Sequence, residues 1–270
     1  MLELETIRVE SVEESRDTTV LFVHGGYFGA WCWENFQPYL AGQGYRSWAV
    51  SLRGHGASPA GQPFNSLSLD QYVEDVVRTL RSMPVTPVIV GHSMGGGIIQ
   101  RILDHNEDLV SGAVLLSAVP PSGVGAKEAM AWARLGMRAL IQLWRLHSGR
   151  LTAKHAADRD AFPYEMFFAG DLEWSTLLSY GIRMQGESRR AGKQLSQTVL
   201  RDPRAVDLPV AVIGGENDVF FAPEVNLATA KAYGVTATIV PGVGHAAMLD
   251  SNWSEVADRL IEFLEFVEEA

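Results

Sequence analysis

The chain has 270 residues, 47% of them hydrophobic and 20% charged, so it can bury a sizeable core without disulfides or structural metals. Its 22 basic and 32 acidic residues give a formal net charge of −10, and no Lys/Arg cluster offsets it. This balance argues against nucleic acid or an anionic membrane surface as a partner. The single cysteine, Cys32, excludes an internal disulfide. We expect a cytoplasmic protein, because no signal peptide and no apolar run of about 20 residues is found.

Short β-rich apolar segments alternate with helical segments along most of the chain. The predicted strands are at 2–9 (an edge strand), 18–24, 47–52, 88–91, 112–117, 210–214 and 236–240. Apolar residues at helical spacing predict helices at 69–81 (after the N-cap Ser68), 94–104 and 253–267. This alternation is typical of the α/β class, with a mostly parallel, doubly wound sheet covered on both faces.

The alternation stops between residues 120 and 204. This stretch contains no convincing strand, but it is rich in Ala, Leu, Arg and aromatic residues, including Trp132 and Phe167. We interpret it as a helical cap inserted into a core formed by residues 1–119 and 205–270. The cap residues Trp132 and Phe167, together with Tyr27, are candidate contacts for an apolar substrate group.

One short loop carries a candidate nucleophile. Gly91-His92-Ser93-Met94-Gly95 lies between a predicted strand and a predicted helix. A serine in so sharp a turn has a strained backbone, glycines two positions away relieve crowding, and the hydroxyl is lifted off the sheet. The bare pattern is weak and could be only a tight turn, but its position between strand and helix favours a nucleophile.

A nucleophilic serine needs a base, and the base needs a carboxylate to hold it. His245 ends the Gly-rich loop that follows the last strand, and Asp218 follows the strand at 210–214. Loops at the carboxyl ends of parallel strands meet at one edge of the sheet, which favours His245 over the other six histidines. Glu216 is the local alternative for the acid. The order Ser93, Asp218, His245 is that of hydrolases with this type of turn.

Acyl transfer also needs two N–H donors for the developing oxyanion. The first candidate is the amide of Met94, because it follows the nucleophile. The second is the amide of Gly26, in the His24-Gly25-Gly26-Tyr27 segment after the strand at 18–24, with Tyr27 as the alternative. The His24-Gly25 pair could also simply stabilise a turn.

These segments resemble the α/β-hydrolase fold family. LFVHGG, SLRGHGAS, VIVGHSMGGG, VIGGENDVF and VPGVGHAAMLD follow one another in the family's order. The resemblance implies a mostly parallel sheet, a cap after LLSAV, a Ser93–His245–Asp218 triad and an oxyanion donor at Gly26. HGGYFGAWCWENFQPYL looks like the plant methylesterase and hydroxynitrile lyase branch. GHSMGGG is similar to bacterial esterases and cofactor-free haloperoxidases.

Three departures from the family pattern matter. Ser51 stands where relatives often have Asp, which implies a different structural hydrogen bond. Only one clear strand precedes LFVHGG. Ala246 follows His245, whereas hydroxynitrile lyases of this fold have a lysine there, so lyase chemistry is disfavoured. A serine nucleophile likewise disfavours dehalogenase, epoxide hydrolase and dienelactone hydrolase chemistry.

The residues and the resemblance together predict a serine hydrolase that needs neither cofactor nor metal. Its expected partner is a small or medium acyl substrate, an ester or lactone with an apolar group, with thioesters and amides left open. The alternatives are a C–C bond hydrolase or lyase on the same scaffold, and a ligand receptor with slow turnover. The sequence does not specify the substrate or the cap geometry. It also leaves the oligomeric state open, with a homodimer as one alternative.

Overall fold

A seven-stranded sheet forms the centre of the computed structural model, which describes residues 2–12, 15–170 and 172–269. The strands are β1 (Thr6–Val9), β2 (Thr19–Val23), β3 (Arg46–Val50), β4 (Val88–His92), β5 (Gly112–Leu116), β6 (Val210–Gly215) and β7 (Ala237–Val240). They lie in the order β1-β3-β2-β4-β5-β6-β7 and are parallel, except that β1 pairs antiparallel with β3. The predicted fold class is confirmed.

Helices cover the sheet and fill the long connection between β5 and β6. The helices outside this connection are α1 (Phe36–Gly42), α2 (Leu69–Ser82), α3 (Met94–Leu103), α10 (Pro223–Tyr233) and α11 (Trp253–Glu269). The connection contains α4 (Ala126–Ala133), α5 (Gly136–His147), α6 (Ala153–Ala156), α7 (Tyr164–Phe167), α8 (Trp174–Arg183) and α9 (Arg189–Gln194). Single 3-10 turns occur at Ala30–Trp33, Phe64–Ser66, Glu107–Leu109 and Pro203–Ala205. Within the described part of this connection there is no strand.

The predicted elements are present with shifted ends. The edge strand begins at Thr6 rather than residue 2, because Thr6 pairs with Val50, the last residue of β3, and the preceding segment has no further β3 residue to pair with. At α2, Ser68 is the N-cap as predicted, and its hydroxyl accepts from the backbone N–H of Gln71. Helices α1 and α10 have no clear apolar periodicity, and the sequence did not single them out.

Ser51 is one of the three departures noted in the sequence, and its hydroxyl is hydrogen-bonded to a carboxylate from another part of the chain. Its hydroxyl donates to Glu5 Oε2 at 2.5 Å and accepts from the N–H of Ala30 at 2.8 Å. Glu5 Oε2 also accepts from the N–H of Ala57 at 3.1 Å. Ser51 and the distant Glu5 therefore hold this loop together.

The three central strands are buried at every position. TVLFV in β2, VIVGH in β4 and GAVLL in β5 lie in the core because helices cover both faces of the sheet. Of the helices in residues 2–12, 15–170 and 172–269, none is long and apolar enough to cross a membrane.

The strand order brings two loops together at the carboxyl edge of the sheet. The chain passes from β2 outward to β3 and returns to β4 on the other side of β2, so the loops after β2 and β4 are neighbours. A Cβ built at Gly25, after β2, would lie 2.8 Å from the Cβ of Ser93, after β4. Only glycine allows this approach.

Two glycines of α3 provide a matched test of this packing. A Cβ at Gly95 would lie 2.4 Å from the carbonyl oxygen of Val23, whereas a Cβ at Gly97 has its nearest neighbour, Val119 Cβ, at 3.4 Å. We expect Gly95→Ala to lower the free energy of unfolding by about 2 kcal/mol, because backbone must move. Gly97→Ala should be neutral or stabilising by up to about 1 kcal/mol, because alanine favours helix. Equal effects in urea unfolding would contradict this account.

Candidate active site

Ser93 lies in the turn that joins β4 directly to α3. Its backbone has φ 52° and ψ −115°, a left-handed conformation that costs a non-glycine residue about 1–3 kcal/mol. Hydrogen bonds hold the turn: Ser93 N–H donates to Leu116 O at 3.0 Å, and Ser93 O accepts from Val119 N–H at 3.1 Å. The strained residue is therefore fixed to the end of β5.

Ser93, His245 and Asp218 form one hydrogen-bonded chain. Ser93 Oγ lies 3.0 Å from His245 Nε2, and His245 Nδ1 lies 2.9 Å from Asp218 Oδ2. Asp218 Oδ1 also accepts from the N–H groups of Phe220 and Phe221, at 2.8 and 3.0 Å. Because a carboxylate only accepts, His245 carries its proton on Nδ1, which leaves Nε2 free to accept from the serine hydroxyl. The structure thus brings together the three residues that the sequence selected.

Glu216, the alternative acid, is elsewhere. Its side chain is exposed, and Glu216 Oε2 accepts from the N–H of Gly242 at 3.1 Å. It stabilises the start of the histidine loop without contacting the imidazole.

The loop carrying His245 must reach back across the sheet. It follows β7, three strand positions from β4, a distance of roughly 14 Å. The buried carboxylate of Asp250 accepts from the N–H groups of Gly244, Ala169, Gly170 and Ser251, at 2.6 to 3.1 Å. Asp250 therefore fixes the residue before His245 and ties it to the connection between β5 and β6.

His92, the last residue of β4, also holds the loop that carries His245. Its Nε2–H donates to the carbonyl oxygen of His245 at 2.8 Å, and the two rings are 4.8 Å apart. Burial, together with the neighbouring His245, lowers the pKa of His92 well below its usual value, so it remains a neutral donor. Sequence reasoning did not assign roles to Asp250 or His92, and their only local signals are a carboxylate in an apolar loop and a histidine next to the nucleophile.

The candidate oxyanion donors lie beside Ser93. The amides of Gly26, Tyr27 and Met94 have no hydrogen-bond acceptor within residues 2–12, 15–170 and 172–269. All three residues line the cavity above Ser93. His24, just before them, uses its ring for the turn: Nδ1–H donates to Gly25 O at 2.7 Å and Nε2 accepts from Leu52 N–H at 3.1 Å.

A mostly apolar cavity of about 460 Å³ opens over the Ser93 hydroxyl. This volume is suitable for a small molecule. Its apolar lining consists of Val119, Val124, Ala129, Trp132, Leu143, Leu195, Phe220 and Phe221. Its polar lining includes Tyr27, His147, Glu187, Lys193 and Ser196. Two predicted contacts, Tyr27 and Trp132, are thus in the wall, and Trp132 Nε1–H donates to Phe220 O at 3.1 Å.

The predicted substrate contact of Phe167 needs correction. Phe167 is 1% exposed and is absent from the cavity lining. Its ring packs edge-on against Tyr27 and Phe28 at 5.9 and 5.8 Å, and lies 5.2 Å from Phe220. The short helix α7 turns this ring into the core, where it supports wall residues from behind.

Within the described residues, no group of three or more His, Cys, Asp or Glu side chains is arranged to hold a metal ion.

Two buried histidines should make the fold acid-sensitive. Burial and the nearby His55 lower the pKa of His24 to about 3, and the pKa of His92 is also lowered. Below about pH 6.5 the unfolded chain binds protons that the folded chain does not, so stability present above that pH is lost on acidification. We expect a loss of up to about 2 kcal/mol per histidine between pH 6.5 and 5, measured by urea unfolding.

The His92→Asn variant keeps a hydrogen-bond donor but has no titrating ring. Its free energy of unfolding should therefore fall less steeply with pH, because unfolding should take up about one proton fewer than in the wild type. An unfolding free energy that is unchanged between pH 7 and 5 in the wild type would refute this prediction.

Comparison with known proteins agrees with this architecture. The sequence model of the family described as "Alpha/beta hydrolase family" matches residues 20–259. Methylesterase 3 of Arabidopsis thaliana is 28% identical over 160 residues, 58% of this chain and 58% of that protein. The non-heme chloroperoxidase of Streptomyces lividans is 38% identical over 104 residues, 38% of this chain and 37% of that protein. Both alignments span less than two thirds of the relatives' length.

A solved structure extends the likeness to the whole chain. The enol-lactonase from Burkholderia xenovorans matches with a TM-score of 0.76, covering 98% of this chain and 97% of its own. At 15% sequence identity this likeness shows the fold alone. Taken with the family match over residues 20–259, it leads to one conclusion: the chain belongs to the alpha/beta hydrolase family.

Proposed function

We propose that the protein is a cofactor-free serine hydrolase that cleaves a small or medium carboxylic ester or lactone with an apolar group. The observation that supports this most directly is the unbroken hydrogen-bonded chain from Ser93 Oγ through His245 to Asp218, at the floor of a mostly apolar cavity. Methylesterase 3, one of the relatives, bears the name of an ester-cleaving enzyme.

The proposed first half-reaction forms an acyl-enzyme. Ser93 Oγ attacks the carbonyl carbon while His245 Nε2 takes its proton, and Asp218 stabilises the imidazolium. The oxyanion accepts from the amides of Met94 and Gly26, with Tyr27 as the alternative to Gly26; each such donor is worth about 2.7–4 kcal/mol. His245 then gives its proton to the leaving alkoxide.

The second half-reaction releases the acid. His245 Nε2 takes a proton from water, whose oxygen attacks the acyl carbon, and the proton returns to Ser93 as the ester bond breaks. The position after His245 disfavours lyase chemistry, because the residue there is the fully buried Ala246, which supplies no cation.

Replacing the nucleophile provides the first test. We expect Ser93→Ala to lower ester hydrolysis at least about 1000-fold, with little change in melting temperature, because only the hydroxyl is removed. The measurement is turnover of a graded panel of aryl and alkyl esters and lactones, with mass spectrometry of an acyl adduct on Ser93 from a slow ester. Activity that survives in pure Ser93→Ala protein would remove Ser93 from the mechanism. Wild-type turnover below one per minute on every substrate would favour the receptor alternative.

The two candidate acids provide a matched pair. Asp218→Asn should lower kcat by about 1000-fold or more, because the imidazole loses the charge that orients it and stabilises its protonated form. Glu216→Gln should leave kcat within about twofold, because that carboxylate is exposed and bonds only to the N–H of Gly242 among the described residues. A larger loss in Glu216→Gln than in Asp218→Asn would reverse the assignment.

A further inference from the structure

A buried carboxylate lines the cavity, and the proposed mechanism does not use it. Glu187, in the connection between α8 and α9, is 3% exposed and lines the cavity with Gly26 and Ser93. Its Oε1 accepts from Tyr72 OH at 2.9 Å and from Ser188 N–H at 2.6 Å. Its Oε2 lies 3.1 Å from His55 Nε2.

Oε2 of Glu187 has room for another donor. A carboxylate oxygen can accept two hydrogen bonds, and within the described chain Oε2 is bonded only to His55. A Cβ built at Gly26 would lie 3.4 Å from Oε2. The free acceptor is therefore next to the residue proposed as an oxyanion donor, on the side where a glycine leaves the carboxylate uncovered.

Glu187 contacts the buried imidazole of His55. His55 Nε2 lies 3.1 Å from Glu187 Oε2, and His55 Nδ1 lies 3.3 Å from the carbonyl oxygen of Arg53. Burial alone would raise the pKa of Glu187, but the neighbouring His55 and the hydrogen bonds outweigh it and hold the pKa below its usual value. A carboxylate that already accepts from Tyr72 and Ser188 and contacts His55 needs only one further hydrogen bond, which a hydroxyl can donate.

Attachment of the connection to the core does not require the charge of Glu187. Gln185 Nε2 donates to Gly54 O at 2.7 Å and its Oε1 accepts from Gly56 N–H at 3.1 Å. Ser188 Oγ donates to Leu67 O at 2.6 Å. Because a buried ion pair is often no more stable than an apolar replacement, neutral bonds could hold this segment at lower desolvation cost.

We propose that Glu187 Oε2 accepts a hydrogen bond from a substrate hydroxyl near the reacting carbonyl, so that hydroxy-substituted esters are preferred over plain alkyl esters. This inference rests on the proposed ester hydrolysis at Ser93. Sites that hydrogen-bond a substrate hydroxyl discriminate strongly against analogues that lack it, because the buried acceptor is then left unpaired.

Three pairs of esters, each differing by hydroxyl against methyl, test this proposal. Methyl lactate is paired with methyl isobutyrate, methyl 3-hydroxybutyrate with methyl isovalerate, and 2-hydroxyethyl butyrate with propyl butyrate. The first two pairs place the hydroxyl in the acyl group, and the third places it in the alcohol. The ratio of kcat/KM within a pair is compared between variants, which cancels intrinsic reactivity and the fraction of active protein.

In at least one pair we expect the hydroxyl-to-methyl ratio to fall threefold or more in Glu187→Gln, a weaker neutral acceptor, and further in Glu187→Met, which has no oxygen acceptor. The matched control is Glu165→Gln, an exposed carboxylate away from this cavity, which should keep every ratio. A fall below threefold in all pairs, in whichever Glu187 variant folds, would overturn the proposal.

Binding separates this inference from the proposed function. In the Ser93→Ala background, calorimetry measures the affinity for each ester with Glu187 intact or replaced by Gln. Hydroxyl-dependent binding that needs Glu187, in a wild type that hydrolyses no ester, would refute the hydrolase and keep the subsite. Hydrolysis at Ser93 with unchanged ratios would refute only the subsite.

Discussion

The contact on which the rest of the site depends is between two stretches of backbone. Only Ser93 separates β4 from helix α3, and a Cβ at the helix's second residue, Gly95, would collide with the carbonyl oxygens of Val23 and His24 at the end of β2. No side chain fits between these two stretches of backbone. The strained turn at Ser93 and the loop at Gly26 therefore lie next to each other. The candidate nucleophile and the candidate oxyanion donors are thereby positioned by packing of the central sheet, where the structure is most buried.

The imidazole depends on a different and longer-range arrangement. His245 follows the edge strand β7, so its loop is held by Asp250, by His92 and by a bond from Ala246 N–H to Phe167 O at 2.8 Å. Asp250 also binds backbone in the connection between β5 and β6. The position of the proposed base is therefore coupled to the folding of that connection, whereas the position of the serine is set within the sheet.

This difference explains what could be predicted from the sequence. The sheet and the Ser93 turn follow from local signals, which are β-rich apolar runs, glycines and a strand-to-helix junction. Asp218 and His245 could be selected because loops after parallel strands converge. Phe167 was predicted as a substrate contact but lies behind the cavity wall, and Glu187 was not singled out. The direction of each side chain depends on how short segments pack together, and an aromatic or acidic residue in such a stretch carries no signal of orientation. Asp250 was missed for the same reason, since its four backbone donors come from segments far apart in sequence.

The two parts of the connection between β5 and β6 meet the core differently. Residues 185–188 are joined by hydrogen bonds to the loops around Gly54 and Leu67, while α4 and α5 contribute Ala129, Trp132 and Leu143 to the cavity wall and expose Met137 and Trp144 on their outer side. Randomising Ala129 and Leu143 would therefore change the shape of the cavity, whereas Trp132 also donates to the carbonyl oxygen of Phe220, whose N–H holds Asp218. For a protein engineer, Ala129 and Leu143 are the wall positions of α4 and α5 where a mutant library can vary the cavity while keeping the bond from Trp132 to Phe220.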